Sequence, residues 1–529
     1  MNGGEIRMDE NQMRQRLAEV EAKRHAVSDA GRPQAVEKQH ARGKMTARER
    51  VAAMLDDGSF REVGALVEPL RDTELTSTLD APADGVITGT GTVDGRPVVI
   101  IAEDFTVLGG SVGVVGGHKV ERMLTKAEKF GLPIVWLQEG SGHRIQDGLD
   151  SRHFVSAGPI FWHLARLSGW VPIATAILGP GYAGPTNMAA FADFRVMWRG
   201  HSQMGIGGPP LVRAATGQDI ETEELGGAKV QADQQGMADM ALDTEEECFA
   251  AIRRYLSYLP RNAGADLPVV PTDDPVERRA EDLLDMIPDN PRRAYDMRKV
   301  LRPIFDNDSF FEIKPTHARN MVIAFARIEG RSVAIIANNC QFLAGMLDAK
   351  AAEKAARHVA IADAFGIPLI YFIDMPGIFV GPAAEQSTLG LRSAKLLYEL
   401  GVASVPRYSV MVRKGYGAGY YAMNGGRGFH ADGTWIWPSS EICAMSIESA
   451  LNVVYARDWK NAADPEARKA ELEADIRRNL TPLRAAEHFG ADDVIDPADT
   501  RAVLAEALRH APRRPHEDGP PKKRAITPI

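Results

Sequence analysis

The chain has 529 residues, too many for one hydrophobic core and enough for two domains of about 230–260 residues, and its 44% hydrophobic content suffices for both. A net charge of −9 argues against nucleic acid or an anionic membrane as the main partner, and three scattered cysteines (Cys248, Cys340, Cys443) without a CxxC pair indicate neither a zinc ribbon nor a disulfide framework. The N-terminus shows no basic, apolar, cleavable succession and no apolar run reaches the ~18 residues that span a bilayer, so a soluble, untargeted, cytoplasmic protein is expected.

In chain order, residues 10–30 place Met13, Leu17 and Val20 on one face of a charged helix that stops near Gly31-Arg32-Pro33, a docking helix with no core of its own. Residues 41–55 (ARGKMTARERVAAML) predict a second, basic helix whose charge pattern reads as a solvated face, and Asp56–Ser59 turns it into FREVG. Next comes a stretch that the chain writes twice. Residues 95–142 and 330–377 share fifteen identities over 48 ungapped positions at an offset of 235. Each copy predicts a buried strand, a glycine-bearing loop, an amphipathic helix, a Phe-Gly-x-Pro break and a second buried strand stopping at a glycine, Gly142 or Gly377. The similarity continues from 170–191 to 403–423, where aligning Tyr182 with Tyr416 shifts the offset to 234. Repeated strand-then-helix order predicts an α/β or α+β architecture with several short parallel strands per domain. A proline-rich passage, Pro260 to Pro291, reads as the linker between domains 1–262 and 263–529. Helices are expected over 464–480 and after Asp496-Pro497, and the Pro/Lys/Arg tail (512–529) is expected on the surface or loose.

Each half therefore presents two glycine turns at strand ends, GSGHR (140–144) with GYAGP (181–185) and MPGIF (375–379) with GYGAG (415–419). Taken singly, such turns are ordinary features of α/β proteins. In duplicate, and followed by helices, they expose main-chain N–H groups suited to an oxyanion, such as a thioester carbonyl becoming an enolate. Periodicity alone names no substrate. GGSVG (109–113) fits the nucleophile-elbow pattern formally, but Ser111 becomes Met346 in the second copy, and neither a phosphate-binding glycine loop nor a clustered metal-ligand pattern is present.

The residues GKMTARER (43–50), DGVITGTGTVDGRPV (84–98), RIQDG (144–148), ATGQDIETEELGG (215–227), EKAARHVAIADAFGIPL (353–369), DMPG (374–377) and PPKKRAITPI (520–529) together resemble the carboxyltransferase (β) subunits of biotin-dependent acyl-CoA carboxylases of the propionyl-CoA and methylcrotonyl-CoA type. The resemblance implies two tandem crotonase-like domains (ββα superhelix, ClpP/crotonase) in a hexamer, with each active site between the N-domain of one subunit, holding acyl-CoA, and the C-domain of another, holding carboxybiotin. It places oxyanion pairs on Ala183-Gly184 and Ala418-Gly419, with Gly142, His143 and Gly377 at the facing strand ends; Pro185 has no N–H to give. The implied reaction carries a carboxyl group from biotin to the α (or vinylogous γ) carbon of a short acyl-CoA, without a side-chain base and without a metal. GSGHR, which puts Ser141 and His143 where relatives read SGGAR, and Tyr421, at a position that influences acyl size in relatives, suit a polar, branched or otherwise unusual acyl group. His143 reads equally well as a histidine packed at a turn. A methylcrotonyl-type enzyme and an acyl-CoA decarboxylase running the same site in reverse are the alternative readings. With no AMKM-type biotinylation sequence and no ATP-binding loop, a separate biotin carboxylase/biotin carboxyl carrier subunit is implied.

Overall fold

The computed structural model describes residues 10–155, 158–426, 428–511 and 526–527. The tail expectation therefore falls outside the described residues, except for 526–527. The chain folds into two compact units, one comprising the residues through Gln231 with Ala241–Tyr255, the other Ala232–Met240 with the residues from Leu256 on.

In the first unit, α1 (Glu10–Ala26), α2 (Pro33–His40) and α3 (Ala47–Met54) precede an antiparallel run of β1 (Arg61–Glu62), β2 (Val86–Val93) and β3 (Arg96–Glu103). From β3 onward a long strand, a short strand and a helix recur. The first turn is β3, β4 (Ser111–Val112) and α4 (Val114–Phe130); the second is β5 (Ile134–Gln138), β6 (Gly142–His143) and the helices α5 (Ile145–Gly148), α6 (Ser151–Val155) and α7 (Ile160–Leu167). The third is β7 (Ile173–Ile177), β8 (Pro180–Tyr182) and α8 (Gly184–Phe191); the fourth is β9 (Phe194–Trp198), β10 (Gln203–Gly205) and α9 (Pro209–Thr216). Long strands β3, β5, β7 and β9 pair in parallel, and the short strands pair separately, β4 with β6 and β8 with β10. After α10 (Thr222–Gly226), β11 (Met240–Leu242) closes the sheet edge, and α11 (Glu245–Tyr258) follows.

The second unit repeats the plan. After α12 (Leu283–Met286) and α13 (Met297–Leu301), the antiparallel strands β12 (Phe311–Ile313), β13 (Met321–Ile328) and β14 (Arg331–Asn338) lead to α14 (Ala349–Phe365) and β15 (Leu369–Met375). Then come α15 (Pro382–Glu385), α16 (Leu389–Val402), β16 (Arg407–Tyr416), α17 (Gly417–Ala422), β17 (Gly433–Ile436) and β18 (Glu441–Cys443). Helices α18 (Ile447–Val453), α19 (Ala456–Lys460), α20 (Pro465–Arg478) and α21 (Pro482–Glu487), β19 (Asp493–Val494) and α22 (Thr500–His510) complete it. Strands β14 to β17 are parallel neighbours, and β18 pairs beside the end of β16.

The Phe-Gly-x-Pro break works as its residues dictate. Gly131 (φ +59°) and Gly366 (φ +75°) cap α4 and α14 in the left-handed conformation, and the prolines two residues on forbid further helix. The chain then enters β5 or β15, in which every residue is buried, as expected of central parallel strands covered on both faces. On one face of β5, Ile134 and Trp136 pack with Val120, Met123 and Leu124 of α4 and Leu164 and Leu167 of α7. Each such aliphatic burial is worth about 1.5–3 kcal/mol.

The helix expected over 10–30 is α1, and Met13, Leu17 and Val20 are exposed on it by 69%, 55% and 38%. The basic stretch 41–55 is a correction. Helix is confined to α3, capped by a reciprocal Thr46/Glu49 box, and its face is buried: Arg50 is 2% exposed, paired with Glu139 and, at 2.5 Å, with Glu245. Lys44 adds a 2.7 Å contact to Glu139 and Gln39 a 3.1 Å hydrogen bond. Charge pattern suggested solvent because the buried acids lie about 90 and 200 residues away in sequence. Replacing Arg50 with Met would leave the buried Glu245 without its cation and Glu139 with Lys44 alone, and is expected to destabilise the first unit by about 3–5 kcal/mol; a thermal unfolding transition lowered by less than a degree would contradict this pairing.

Candidate active site

In each unit the chain leaves the carboxyl end of a central strand through a short parallel pairing, the strand β6 in the first unit and an isolated bridge in the second, that fixes the direction of its amides. Successive residues of a parallel strand point their N–H groups alternately toward and away from the partner. In the first unit, β6 lies beside β4 with Gly142 opposite Ser111, and the Arg144 N–H donates to the Val112 carbonyl at 2.9 Å. The His143 N–H therefore faces away from β4. In the second unit Leu347 bridges Ile378, the Leu347 N–H donates to Gly377 at 3.2 Å and the Phe379 N–H to Leu347 at 2.9 Å. The Ile378 N–H faces away in turn. His143 and Ile378 are equivalent at the 235-residue offset, as are Val112 and Leu347.

A second amide comes from the helix after the next strand. Gly184 opens α8, has no intrahelical acceptor and is partly exposed. It lies near β6, since a Cβ on Gly142 (φ +82°) would sit 3.0 Å from Pro185 Cδ. Ala418, exposed in the first turn of α17, occupies the corresponding place beside Gly377: a Cβ on Gly419 would sit 2.8 Å from Met375 Cγ and 3.2 Å from the Gly377 carbonyl carbon.

This geometry revises the expected pairs. Ala183 is not a donor to a ligand, because its N–H is bonded to the Gly205 carbonyl at 2.8 Å. It sits at φ +60°, ψ −125°, a conformation that costs a residue with a side chain about 1–3 kcal/mol. Its counterpart is Gly417, also at φ +60°, so the offset here is 234 and Gly184 matches Ala418. Gly419 then matches Pro185; it provides close packing against Met375, and Ala418 carries the accessible N–H. The amides of His143 with Gly184, and of Ile378 with Ala418, are therefore the candidate pairs; Ile378 carries no residue-type signal in the sequence, since any residue but proline supplies an N–H, and only the 235-residue offset points to it.

Of the two readings of the His143 side chain, the geometry fits the histidine packed at a turn. Side chains alternate along β6, so the ring faces opposite to Gly142 and α8; it lies 3.2 Å from a Cβ built on Gly148 and edge-on to Phe154 at 6.0 Å. Burial lowers its pKa, with Asp147 opposing, so the ring is neutral at neutral pH and packed at a turn. Ser141 is exposed and donates to the Gly109 carbonyl at 3.3 Å. Tyr421 lies one turn beyond Ala418 on the same face of α17, half exposed and tilted against Tyr420 at 5.8 Å.

Buried charges fix these strand ends. Asp84 and Arg144 pair out of solvent, the Arg144 Nη2 donates to the Ser111 carbonyl at 3.1 Å, and the Gly116 N–H donates to Asp84 at 2.7 Å. Glu139, just after β5, and Asp374, the penultimate residue of β15, are equivalent at offset 235; the former is neutralised by Lys44 and Arg50, the latter by Arg413 at 2.9 Å. The Glu139 N–H donates to Glu103 at 3.0 Å and the Asp374 N–H to the equivalent Asn338 at 3.2 Å. Burial raises the Glu103 pKa to about 8, so it is protonated at neutral pH, a neutral group as Asn338 is. Among the described residues no cluster of three or more acidic, histidine or cysteine side chains could hold a metal, and no helix is long and apolar enough to cross a membrane.

A family model described as the carboxyl transferase domain matches residues 38–526. The propionyl-CoA carboxylase carboxyltransferase subunit of Haloferax mediterranei is 40% identical over 519 residues, covering 98% of this chain and 100% of that protein. The methylmalonyl-CoA decarboxylase subunit alpha of Veillonella parvula is 37% identical, covering 98% of each. Among solved structures, the hexameric transcarboxylase 12S with methylmalonyl-coenzyme A and methylmalonic acid bound superposes with a TM-score of 0.91 at 36% identity, over 100% of both chains.

Because the Glu103 pKa is raised above its unfolded value of about 4.3, its contribution to stability is full below that pH and is lost as pH rises through about 8. Relative to Glu103→Gln, the wild type is expected to lose about 1.4 kcal/mol per pH unit across that window; parallel unfolding-versus-pH curves for the two proteins would refute a protonated Glu103.

Proposed function

The chain belongs to the carboxyltransferase family of biotin-dependent acyl-CoA carboxylases, with the crotonase-like fold of that family, and we propose that it transfers a carboxyl group from carboxybiotin to a short acyl-CoA of the propionyl type. The observation that supports this most is the duplicated pair of main-chain amides, one pair per unit, that find no hydrogen-bond partner among the described residues, at equivalent places after a central strand. Two pairs suit a reaction in which two carbonyl-type oxygens gain negative charge.

On the acyl side, assigned to residues 1–262, the His143 and Gly184 N–H groups donate hydrogen bonds to the thioester oxygen. When the α-proton leaves, charge moves onto that oxygen, and each prepositioned donor stabilises it by about 2.7–4 kcal/mol. The His143 ring, turned toward Gly148 and Phe154, does not take this proton. Residues 263–529 form the biotin side. A planar ureido group fits there, since a Cβ on Gly377 (φ +133°) would meet nothing within 4 Å and Ala418 is exposed. Bound there, carboxybiotin supplies the carboxyl group and a nitrogen base for the α-proton. The Ile378 and Ala418 amides hold the ureido oxygen and orient the ring.

The partners are a biotin carboxylase/biotin carboxyl carrier protein and further copies of this chain, in a hexamer like transcarboxylase 12S. Gly184 and Ala418 stand in the first turn of their helices, where proline is tolerated, so Gly184→Pro and Ala418→Pro delete a single donor each. Each variant is expected to keep its thermal transition and to lose about 10²–10³-fold in kcat for carboxylation of propionyl-CoA. Wild-type turnover by folded Gly184→Pro would remove the basis of the proposal.

A further inference from the structure

Lys119 and Lys354 are among the identities shared by the two copies, and both side chains are buried, 5% and 3% exposed. A buried ammonium is costly unless its protons are satisfied. Both satisfy theirs in the same way, with main-chain carbonyls. Lys119 Nζ donates to Ala83 at 2.9 Å and Val86 at 2.5 Å. Lys354 Nζ donates to the equivalent Ala318 at 3.4 Å and Met321 at 2.7 Å, and also to Lys314 and His317, each at 2.8 Å. The caged turns are themselves alike, since Ala83 and Ala318 both have positive φ, +51° and +44°.

What these turns carry gives the cages a purpose. Between the two carbonyls held by Lys119 lies Asp84, which pairs with Arg144; Arg144 in turn clasps the Ser111 carbonyl through its side chain and the Val112 carbonyl through its N–H. The segment that presents the His143 amide is thereby tied to the lysine. Between the carbonyls held by Lys354 lies Asn320, whose Nδ2 donates to the Met346 carbonyl at 2.8 Å and to Asp348 at 3.1 Å. Met346 and Asp348 flank Leu347, the residue that pairs with Gly377 and Phe379 and turns the Ile378 amide outward. The relay differs, an aspartate acting on the amide-bearing strand in one unit and an asparagine acting on its partner strand in the other, but it starts from the same lysine.

We infer that Lys119 and Lys354 are positioning residues for the two amide pairs, each holding, through a caged turn and one polar side chain, the strand that presents an oxyanion-binding N–H. This rests on the carboxyltransferase reading for its kinetic consequence, although not for its structural one.

The test uses Lys119→Met and Lys354→Met in the full chain, with two readouts. Amide hydrogen exchange over 140–148 is expected to quicken at least tenfold in Lys119→Met while 375–382 stays within twofold of wild type, and the converse is expected in Lys354→Met. In the reverse reaction of methylmalonyl-CoA with free biotin, Lys119→Met is expected to raise the KM for the thioester at least tenfold and leave that for biotin within twofold, with Lys354→Met doing the opposite. Should a Met variant not fold, Lys→Gln, which keeps two donors, is read in the same way. Loss of fold in both variants, equal effects on both segments or both substrates, or wild-type exchange in a folded variant overturns the inference. Exchange needs no turnover, so a wild-type chain without carboxyl transfer would refute the function while exchange still decides the lysines.

Discussion

The structure depends on the alternation of amides in a parallel ladder. Once Arg144 and Phe379 donate inward to β4 and to Leu347, the residues before them have their N–H groups turned out, whatever side chains they carry. That is why histidine and isoleucine occupy equivalent places. The group that matters is common to every residue except proline, and side-chain chemistry at such positions is left free to vary. The glycines nearby serve access and packing: Gly142 faces Pro185, and Gly419 lies against Met375.

The two units reach the same arrangement by different contacts. Glu139 is neutralised by residues from the N-terminal segment, Lys44 and Arg50, whereas Asp374 is neutralised by Arg413 from the adjacent strand β16. Beneath them, a carboxyl kept neutral by burial in Glu103 does the work that the amide of Asn338 does in the second unit. The first unit thus depends on its helical extension for charge balance, and the second is self-contained at this point.

Much of this was legible in the sequence because the determining signals were local or periodic. The buried runs of β5 and β15, the Phe-Gly-x-Pro stops and the 235-residue offset placed the strands and helices, and GKMTARER with its companions named the family; the strands themselves stop short of the expected glycines, β5 at Gln138 with Gly142 opening the separate β6, and β15 at Met375 before Gly377. What escaped had long-range or backbone causes. The burial of Arg50 depends on acids far along the chain, and the direction of the His143 ring depends on strand pairing that no spacing reports. One member of each expected donor pair, Gly184 and Ala418, keeps its place; the other falls on the preceding short segment, because the Ala183 N–H is bonded to Gly205 and Ala183, at positive φ, stands where Gly417 stands in the second copy. The shift to an offset of 234 at Tyr182 and Tyr416 was the available signal.

The central claim is that main-chain amides, two per reacting oxygen, carry the charge. It is tested most directly by the structure of the assembled enzyme with propionyl-CoA bound. The account predicts the thioester oxygen at about 2.7–3.1 Å from both the His143 and the Gly184 nitrogens. An oxygen held instead by a side chain, with those amides bonded elsewhere, would contradict it.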